Sequence, residues 1–282
     1  MKGLYDNHNH CQFSFDGKRT SVEKSSSFAS ESGLSGICFT DHYDFYVPPM
    51  KAAHENLVPE VFEIKEQQAE IDRVQAILSS SGKNLNILKG IEIGLCKEKR
   101  DEIDKLLSGN SFDTVVASLH YIDDSDPFWG SYYEGKSWKE AYGHYLETLF
   151  GELSWMENRF DIVGHFDYVA RYAPYPQASI LYKDFPDILD SVLRLLAENG
   201  KALEINTKTY QSYNGRVPVL DIDILKRYRE FGGEVISLGS DSHDKERVGF
   251  HFDLFAAKLS EAGFRYIAHY EKRRLVMTPV NQ

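Results

Sequence analysis

The sequence predicts an α/β protein in which parallel strands form a closed or nearly closed barrel. Short apolar runs rich in Ile, Val and Leu alternate with longer segments of helical period along all 282 residues. Runs such as residues 113–119 are apolar almost throughout, which is typical of parallel strands covered on both faces. No Pro-, Gly- or Ser-rich linker and no shift in composition divides the chain. We therefore expect a single domain over residues 1–282.

Seven apolar runs are predicted to be strands, and this number indicates a barrel. The runs are residues 3–8, 36–40, 86–93, 113–119, 160–164, 201–205 and 234–238. Helical periodicity between the runs predicts helices over residues 61–80, 138–158, 180–199, 222–231 and 254–263. Gly200 and Gly263 stand where two of these helices should end. Segments rich in aromatic residues, Pro or Gly predict loops over residues 46–60, 121–136, 172–179 and 211–218.

The composition is that of a folded protein with excess negative charge. The chain has 32 basic and 43 acidic side chains, which gives 32 − 43 = −11. Such a charge repels a phosphate backbone, so we expect no nucleic-acid partner. No apolar run approaches the ~20 residues that cross a bilayer, and the first ten residues are polar, so we expect no membrane partner. Three cysteines without paired spacing favour a reducing compartment, and we expect a cytoplasmic protein.

Nearly every predicted strand ends in a His, Asp or Glu, at the end where barrel enzymes place their chemistry. His8 and His10 are two residues apart in an extended chain and so face the same way, as two ligands of one ion must. Imidazoles and carboxylates without paired cysteines suit Zn, Mn or Fe. Nine candidate ligands exceed what one ion can use, which implies two or three divalent ions. The candidates are His8, His10, Asp16, His42, Glu92, His120, His165, Asp241 and His243.

The remaining four histidines provide an internal comparison. His54, His144, His251 and His269 fall in predicted helices or loops, away from the strand ends. We expect them to have no part in metal binding.

The motifs that carry these residues recur in a fixed order along almost the whole chain. They are Asp6-Asn-His-Asn-His10, Phe13-Ser-Phe-Asp-Gly17, Thr40-Asp-His42, Lys89-Gly-Ile-Glu-Ile-Gly94, Ser118-Leu-His120, Asp161-Ile-Val-Gly-His-Phe-Asp167 with Arg171, Leu203-Glu-Ile-Asn206 and Gly239-Ser-Asp-Ser-His243. The ordered set resembles the polymerase and histidinol phosphatase (PHP) family, and within it the histidinol-phosphate phosphatases. The resemblance implies a distorted seven-stranded (β/α)7 TIM-like barrel with a trinuclear metal site.

The resemblance also implies a division of the ligands among three ions. The first ion is held by His8, His10, Glu92 and Asp241. Glu92 bridges to a second, which is held by His120 and His165, and the third is held by Asp16, His42 and His243. We expect Glu92, Asp241 and His42 to be catalytic. Arg171 and Arg216 match positions where the resembling phosphatases bind phosphate.

The charge of such a site suits a phosphate ester. Three divalent ions against three carboxylates leave a surplus of about +3, which a phosphate dianion and a hydroxide would neutralise. The expected reaction is phosphomonoester hydrolysis with in-line attack of a metal-activated hydroxide. The resemblance implies L-histidinol phosphate as substrate, hydrolysed to L-histidinol and phosphate in histidine biosynthesis. We expect loop residues such as Tyr43 and Asp44 to select this cationic substrate.

Three other functions compete with this prediction. A PHP phosphoesterase acting on nucleotides or another small phosphate ester would have the same site. A metal-binding module without catalysis is disfavoured because every ligand position is filled. An amidohydrolase also begins with His-x-His on a barrel strand, but Glu92 stands here where a bridging lysine would be expected. The sequence leaves open the native metal, the oligomeric state and the acid that protonates the leaving group.

Overall fold

The computed structural model of the chain describes residues 1–49 and 60–280. Its centre is a ten-stranded sheet in the order β1-β2-β4-β5-β6-β7-β8-β9-β10, with β3 beside β4. Successive strands of this path are parallel up to β9, and only β10 pairs antiparallel, with β9. The strands are β1 Tyr5–Asn9, β2 Gly36–Phe39, β3 His42–Tyr43, β4 Asn86–Gly94, β5 Thr114–Ser118, β6 Ile162–Val163, β7 Ala202–Asn206, β8 Ile236–Gly239, β9 Tyr266–Glu271 and β10 Arg274–Pro279.

Helices connect the parallel strands, and local signals mark where several of them begin. Ser21 caps the first helix by accepting a hydrogen bond from the Lys24 amide, and Ser137 with Glu140 forms a capping box at the fourth. The helices are α1 Val22–Glu31, α2 Ile64–Ser80, α3 Arg100–Gly109, α4 Trp138–Met156, α5 Tyr168–Tyr172, α6 Pro186–Glu198, α7 Ile222–Glu230 and α8 Phe252–Glu261. Across the described ranges, no helix combines the length and apolar character that a membrane span requires.

The predicted count of seven strands is wrong. Every one of the seven predicted runs overlaps a strand, but the described residues form ten. The prediction missed β3, which has two residues, and the hairpin of β9 and β10, whose sequence mixes apolar and charged residues and so lacks a buried apolar run. Three helices were also missed. α1 contains four serines and has weak helical propensity, α5 has only five residues, and α3 buries only two side chains, Ile103 and Leu106.

Strand β9 packs against the N-terminal parts of other strands of the sheet. Ala268 and Tyr270 of β9 pack in one apolar cluster with Val116, Ile162 and Ala202, which lie in β5, β6 and β7. The Tyr270 hydroxyl donates a hydrogen bond to the Asp161 carbonyl, 3.1 Å away. This side of the sheet is therefore covered by apolar packing.

On the opposite side, at the strands' C-terminal ends, backbone hydrogen bonds join the end of β1 to the segment that follows β8. The Asp241 amide donates to the His8 carbonyl at 2.8 Å, and the His10 amide donates to the Ser242 carbonyl at 2.9 Å. These bonds bring the polar residues that follow β8 next to those of β1.

The turn between β9 and β10 holds two basic residues in a conformation that L-residues disfavour. Lys272 and Arg273 have φ angles of 51° and 63°, where a tight hairpin prefers Asn-Gly. Asp113 holds the turn, because its carboxylate accepts from the Lys272 amide at 2.8 Å and its carbonyl accepts from the Arg273 amide at 2.9 Å. The Arg273 guanidinium forms an ion pair with the buried Asp161.

Relieving this strain at the exposed position should stabilise the protein. Asn tolerates the left-handed region, so Lys272→Asn should raise the free energy of unfolding by about 0.5–1 kcal/mol, measured by urea denaturation. Arg273→Gly is the matched control. It relieves the same strain but leaves Asp161 without its guanidinium, and we expect a net loss of roughly 1–3 kcal/mol. A loss of stability in Lys272→Asn would contradict the strain argument.

Candidate metal centre

Glu92, near the C-terminal end of β4, lies at the centre of a cluster of buried imidazoles. Its Oε1 atom lies 3.2 Å from His8 Nε2, 3.2 Å from His120 Nε2 and 3.0 Å from His165 Nε2. These histidines come from β1 and from the segments that follow β5 and β6. One carboxylate oxygen thus faces three imidazole nitrogens from three parts of the sheet.

The second oxygen of Glu92 faces another part of the cluster. Glu92 Oε2 lies 2.8 Å from His42 Nδ1 and 3.5 Å from His10 Nε2. The strand register explains the first distance, because His42 of β3 pairs directly with Glu92 of β4. His10 Nε2 lies in turn 3.4 Å from Asp241 Oδ1. Glu92 therefore connects both halves of the cluster.

Asp16 completes the cluster on its exposed side. Asp16 Oδ2 lies 2.8 Å from His243 Nε2 and 3.8 Å from His42 Nε2. The structure thus brings together all nine residues that the sequence singled out, in one continuous network of close contacts. They are His8, His10, Asp16, His42, Glu92, His120, His165, Asp241 and His243.

A carboxylate on β7 fixes the orientation of two parts of this network. Glu204 Oε1 lies 2.8 Å from His8 Nδ1, and Glu204 Oε2 accepts a hydrogen bond from the His165 amide at 2.6 Å. With its Nδ1 proton held by Glu204, His8 is oriented so that Nε2 points towards Glu92. Gly239 makes this possible, because a Cβ atom there would collide with Glu204.

Two further acids orient other imidazoles in the same way. Asp44 Oδ1 lies 3.0 Å from His120 Nδ1, and Gly94 leaves the space that Asp44 fills. His10 Nδ1 lies 3.0 Å from Ser14 Oγ, which donates to Asp41 at 2.9 Å. Sequence analysis missed these roles. Asp41 and Glu204 stand inside the recurring motifs. The residues that they contact, Ser14 and His8, lie far from them along the chain, so the sequence does not show these contacts.

The charges in the cluster shift the pKa values of its members. Burial alone would raise the pKa of Glu92, but the positive charges of His8 and His42 lower it well below its usual value. Burial lowers the pKa of His10 well below its usual value, helped by His243 and His42. Burial also acts to lower the pKa of His8, but Glu92 and Glu204 outweigh it and raise that pKa. Glu92 is thus an ionised carboxylate and His10 a neutral imidazole, the forms that bind metals.

The donor atoms of the cluster fit a metal site better than a hydrogen-bonded one. Within the part of the chain that the structure describes, His8 Nε2, His10 Nε2, His243 Nε2 and Glu92 Oε2 are buried without an acceptable hydrogen bond. Buried polar atoms seldom lack a partner, so a group of them facing one another fits a site that binds a cation. Three sets of donor atoms lie within 4.8 Å of one another and could each hold an ion: His10, His42 and His243; His8, His10 and Glu92; His42, Glu92 and His120.

The cluster opens into a cavity of about 520 Å³. Its wall carries two cations, Arg171 and Lys208, and two acids, Glu60 and Asp126. Aromatic side chains make up much of the remainder, namely Phe15, Tyr121, Phe128, Trp129, Tyr168, Tyr172 and Tyr213. The cavity thus joins a candidate metal centre to cationic, acidic and aromatic surfaces.

The structure places several predicted residues elsewhere. Arg216 does not line the cavity, and its Nη1 atom donates to the Tyr175 carbonyl at 3.0 Å. Its role in phosphate binding stays a prediction. Tyr43 does not line the cavity, and its ring packs against Phe45 and Phe62, so its role in substrate selection stays a prediction. Asp44 is buried on His120, so its change would affect every substrate.

The comparison histidines also have defined positions, with one correction. His144 lies in α4 and His251 directly precedes α8, as expected. His269 lies on strand β9 rather than in a helix or loop, and its ring stacks on Tyr5 at 3.6 Å. His54 lies outside the described residues. None of the three described histidines belongs to the cluster around Glu92.

The fold and this site define a member of the PHP domain family, and the chain belongs to that family, whose model matches residues 6–208. The chain is 34% identical over 276 residues to the histidinol-phosphatase of Lactococcus lactis subsp. lactis (strain IL1403), covering 98% of this chain and 97% of that protein. A crystal structure of the L. lactis histidinol phosphate phosphatase with Zn, L-histidinol and phosphate superposes with a TM-score of 0.84. It is 32% identical and covers 98% of this chain and 100% of its own. A structure from Listeria monocytogenes, 16% identical with a TM-score of 0.67, shares the fold and covers 89% of this chain and 99% of its own.

Removing Glu204 should weaken metal binding without removing a ligand. Glu204→Ala leaves His8 Nδ1 and the His165 amide without their acceptor, and loss of such partners typically costs about 10–100-fold in metal affinity. Glu204→Gln is the matched control, because its single carbonyl oxygen can replace only one of the two acceptors, so an intermediate loss is expected. Zn²⁺ titration against a chelating indicator measures both. Unchanged affinity in Glu204→Ala would show that His8 needs no support.

Proposed function

We propose that this chain hydrolyses L-histidinol phosphate to L-histidinol and phosphate in histidine biosynthesis. One observation carries the proposal: six of the nine candidate ligands line a cavity whose wall offers cations for phosphate and acids for an amine, and the other three, His8, His10 and Glu92, are buried in the same cluster. Similarity over nearly the whole chain to the L. lactis phosphatase, whose structure holds Zn, L-histidinol and phosphate, supports it. The role in histidine biosynthesis favours a cytoplasmic location.

We propose two or three divalent ions, Zn, Mn or Fe, at the cluster. His8, His10, Glu92 and Asp241 would hold the first ion. Glu92 would be shared with a second ion held by His120 and His165, and Asp16, His42 and His243 would hold the third. The close approach of five imidazoles to one carboxylate supports Glu92 as the shared ligand. When bound, such ions lower the pKa of water and neutralise phosphate oxygens.

The protein's own groups orient the ester and hold the donor atoms in place. Asp241 and His42 line the cavity floor, and the buried Glu92 contacts His42 directly. Arg171 lies on the cavity wall and its guanidinium can bind phosphate oxygens, while its donation to the Lys208 carbonyl fixes it against β7. Phosphate placed between this cation and the floor points the leaving group towards the aromatic wall.

The far wall suits a cationic, planar leaving group. Asp126 Oδ1 accepts hydrogen bonds from the Phe128 amide at 2.8 Å and from the Tyr168 hydroxyl at 3.0 Å, which fix the carboxylate at the cavity. Glu60 is held similarly by the Tyr121 hydroxyl at 3.2 Å. We propose that these two acids bind the amine and imidazole of histidinol phosphate, with aromatic faces against the ring.

We further propose that the sheet is a distorted PHP-type barrel forming one domain. The hydrogen bonds from Asp241 to His8 and from His10 to Ser242 support closure between β1 and the segment after β8. Strands from both ends of the chain contribute to one sheet, which supports a single domain.

Loss of the shared carboxylate should abolish turnover. Glu92→Ala removes the residue that connects both halves of the cluster, so kcat should fall by roughly a thousandfold or more. The fold should persist, since apolar packing on the opposite side of the sheet supplies most of the stability, and circular dichroism would check this. Glu98→Ala, an exposed change nearby, serves as the control. A folded Glu92→Ala enzyme with near-normal kcat would disprove the assignment.

The acidic wall should determine selectivity among phosphate esters. Asp126→Asn keeps both hydrogen bonds to the side-chain oxygen but removes the charge, so KM for histidinol phosphate should rise about tenfold. KM for p-nitrophenyl phosphate should change less than about twofold. Asp123→Asn, in the neighbouring turn outside the cavity, is the matched control. A clear preference of the unmodified enzyme for nucleoside monophosphates would instead favour the nucleotide phosphoesterase.

A further inference from the structure

Lys208 is a cation at the cavity that no sequence motif pointed to. It follows strand β7, and its side chain is 27% exposed. Two hydrogen bonds fix its backbone, since its amide donates to Asn206 Oδ1 at 3.1 Å and its carbonyl accepts from Arg171. The side chain is flexible, so its ammonium group can move between different anions while the backbone stays fixed.

The ammonium group of Lys208 contacts the cluster directly. Lys208 Nζ donates to Asp241 Oδ1 at 2.9 Å and lies 3.3 Å from His243 Nδ1. The same Asp241 Oδ1 lies 3.4 Å from His10 Nε2 and 3.5 Å from His243 Nδ1. An ion held by Asp241 and His10 would therefore use the oxygen that the ammonium uses.

Two cations on one carboxylate oxygen repel each other, and the cavity offers the ammonium a second anion. Lys208 lines the cavity beside Arg171, where the phosphate of a substrate would lie. A four-carbon stem lets Nζ turn from Asp241 towards a phosphate oxygen while the backbone stays fixed.

We propose that Lys208 is a shared cation: it competes with a metal ion for Asp241 and, with the ion bound, binds an oxygen of the substrate phosphate. The proposal rests on the proposed function of this site as a metal-dependent phosphomonoesterase. Metal binding and phosphate binding would then strengthen each other. Bound phosphate attracts the ammonium group away from Asp241, and a bound ion at Asp241 displaces the ammonium group towards the phosphate.

The test separates these two roles with the variants Lys208→Met and Arg171→Met in the full-length chain. Calorimetry measures the affinity of metal-depleted protein for Mn²⁺, with and without inorganic phosphate, and the affinity of Mn²⁺-loaded protein for inorganic phosphate. In Lys208→Met, Mn²⁺ should bind about three- to tenfold more tightly without phosphate, because the competing cation is gone. Inorganic phosphate should bind roughly ten- to a hundredfold more weakly.

Arg171→Met is the matched control, because Arg171 contacts the Lys208 carbonyl and not Asp241. It should weaken phosphate binding while leaving Mn²⁺ affinity without phosphate unchanged within about twofold. Lys208→Arg should restore phosphate binding to within about fivefold, because it restores the charge. Lys208→Gln repeats the test with a polar side chain, should Lys208→Met fold poorly.

Two results would overturn the proposal. Weaker Mn²⁺ binding in folded Lys208→Met and Lys208→Gln would make Lys208 a structural support for Asp241. Unchanged phosphate affinity in both would show that the ammonium does not reach phosphate. Neither measurement uses histidinol phosphate, so a failure of the substrate assignment in the ester comparison would leave this test intact.

Discussion

The structure around the site depends on one buried carboxylate. Glu92 is fully buried, and burying an ionised carboxylate costs several kcal/mol unless opposite charges or donors surround it. Five imidazoles, from β1 to the segment after β6, supply that surrounding. The register of each strand relative to β4 must therefore place its histidine next to Glu92. The register of β3, whose His42 pairs with Glu92, is one direct consequence.

The imidazoles need support of their own, because a ring that faces Glu92 with one nitrogen leaves the other nitrogen buried. Glu204, Asp44 and Ser14 accept from His8, His120 and His10, which fixes each ring and its tautomer. The supports need space in turn, and glycines beside Glu204 and Asp44 provide it. Two glycines of the recurring motifs, Gly94 and Gly239, are thus explained by a chain of contacts that starts at Glu92.

The nine cluster residues could be singled out from the sequence because the signal for most of them is local: a polar residue at or near the end of an apolar run. The seven parallel runs were found for the same reason. The acids that support the rings were missed, because His8 and Glu204 are 196 positions apart and only folding joins them. Lys208 was missed because nothing distinguishes it from a surface lysine. Strands β9 and β10 were missed because their own sequences contain no continuous apolar run. The apolar residues of β9 are buried only because the sheet packs against them.

The two ends of the sheet differ in chemical character, and this division explains how the fold tolerates so many buried polar groups. At the C-terminal ends, imidazoles and carboxylates crowd together and several buried nitrogens lack hydrogen bonds, an arrangement that adds little stability without a cation. At the N-terminal ends, β9 packs Ala268 and Tyr270 against Val116 and its neighbours in a dry cluster. Apolar burial there stabilises the strands at any protonation state of the site. The strand ends that hold Glu92 are consequently positioned by packing below them, so the site can be built for binding rather than for stability.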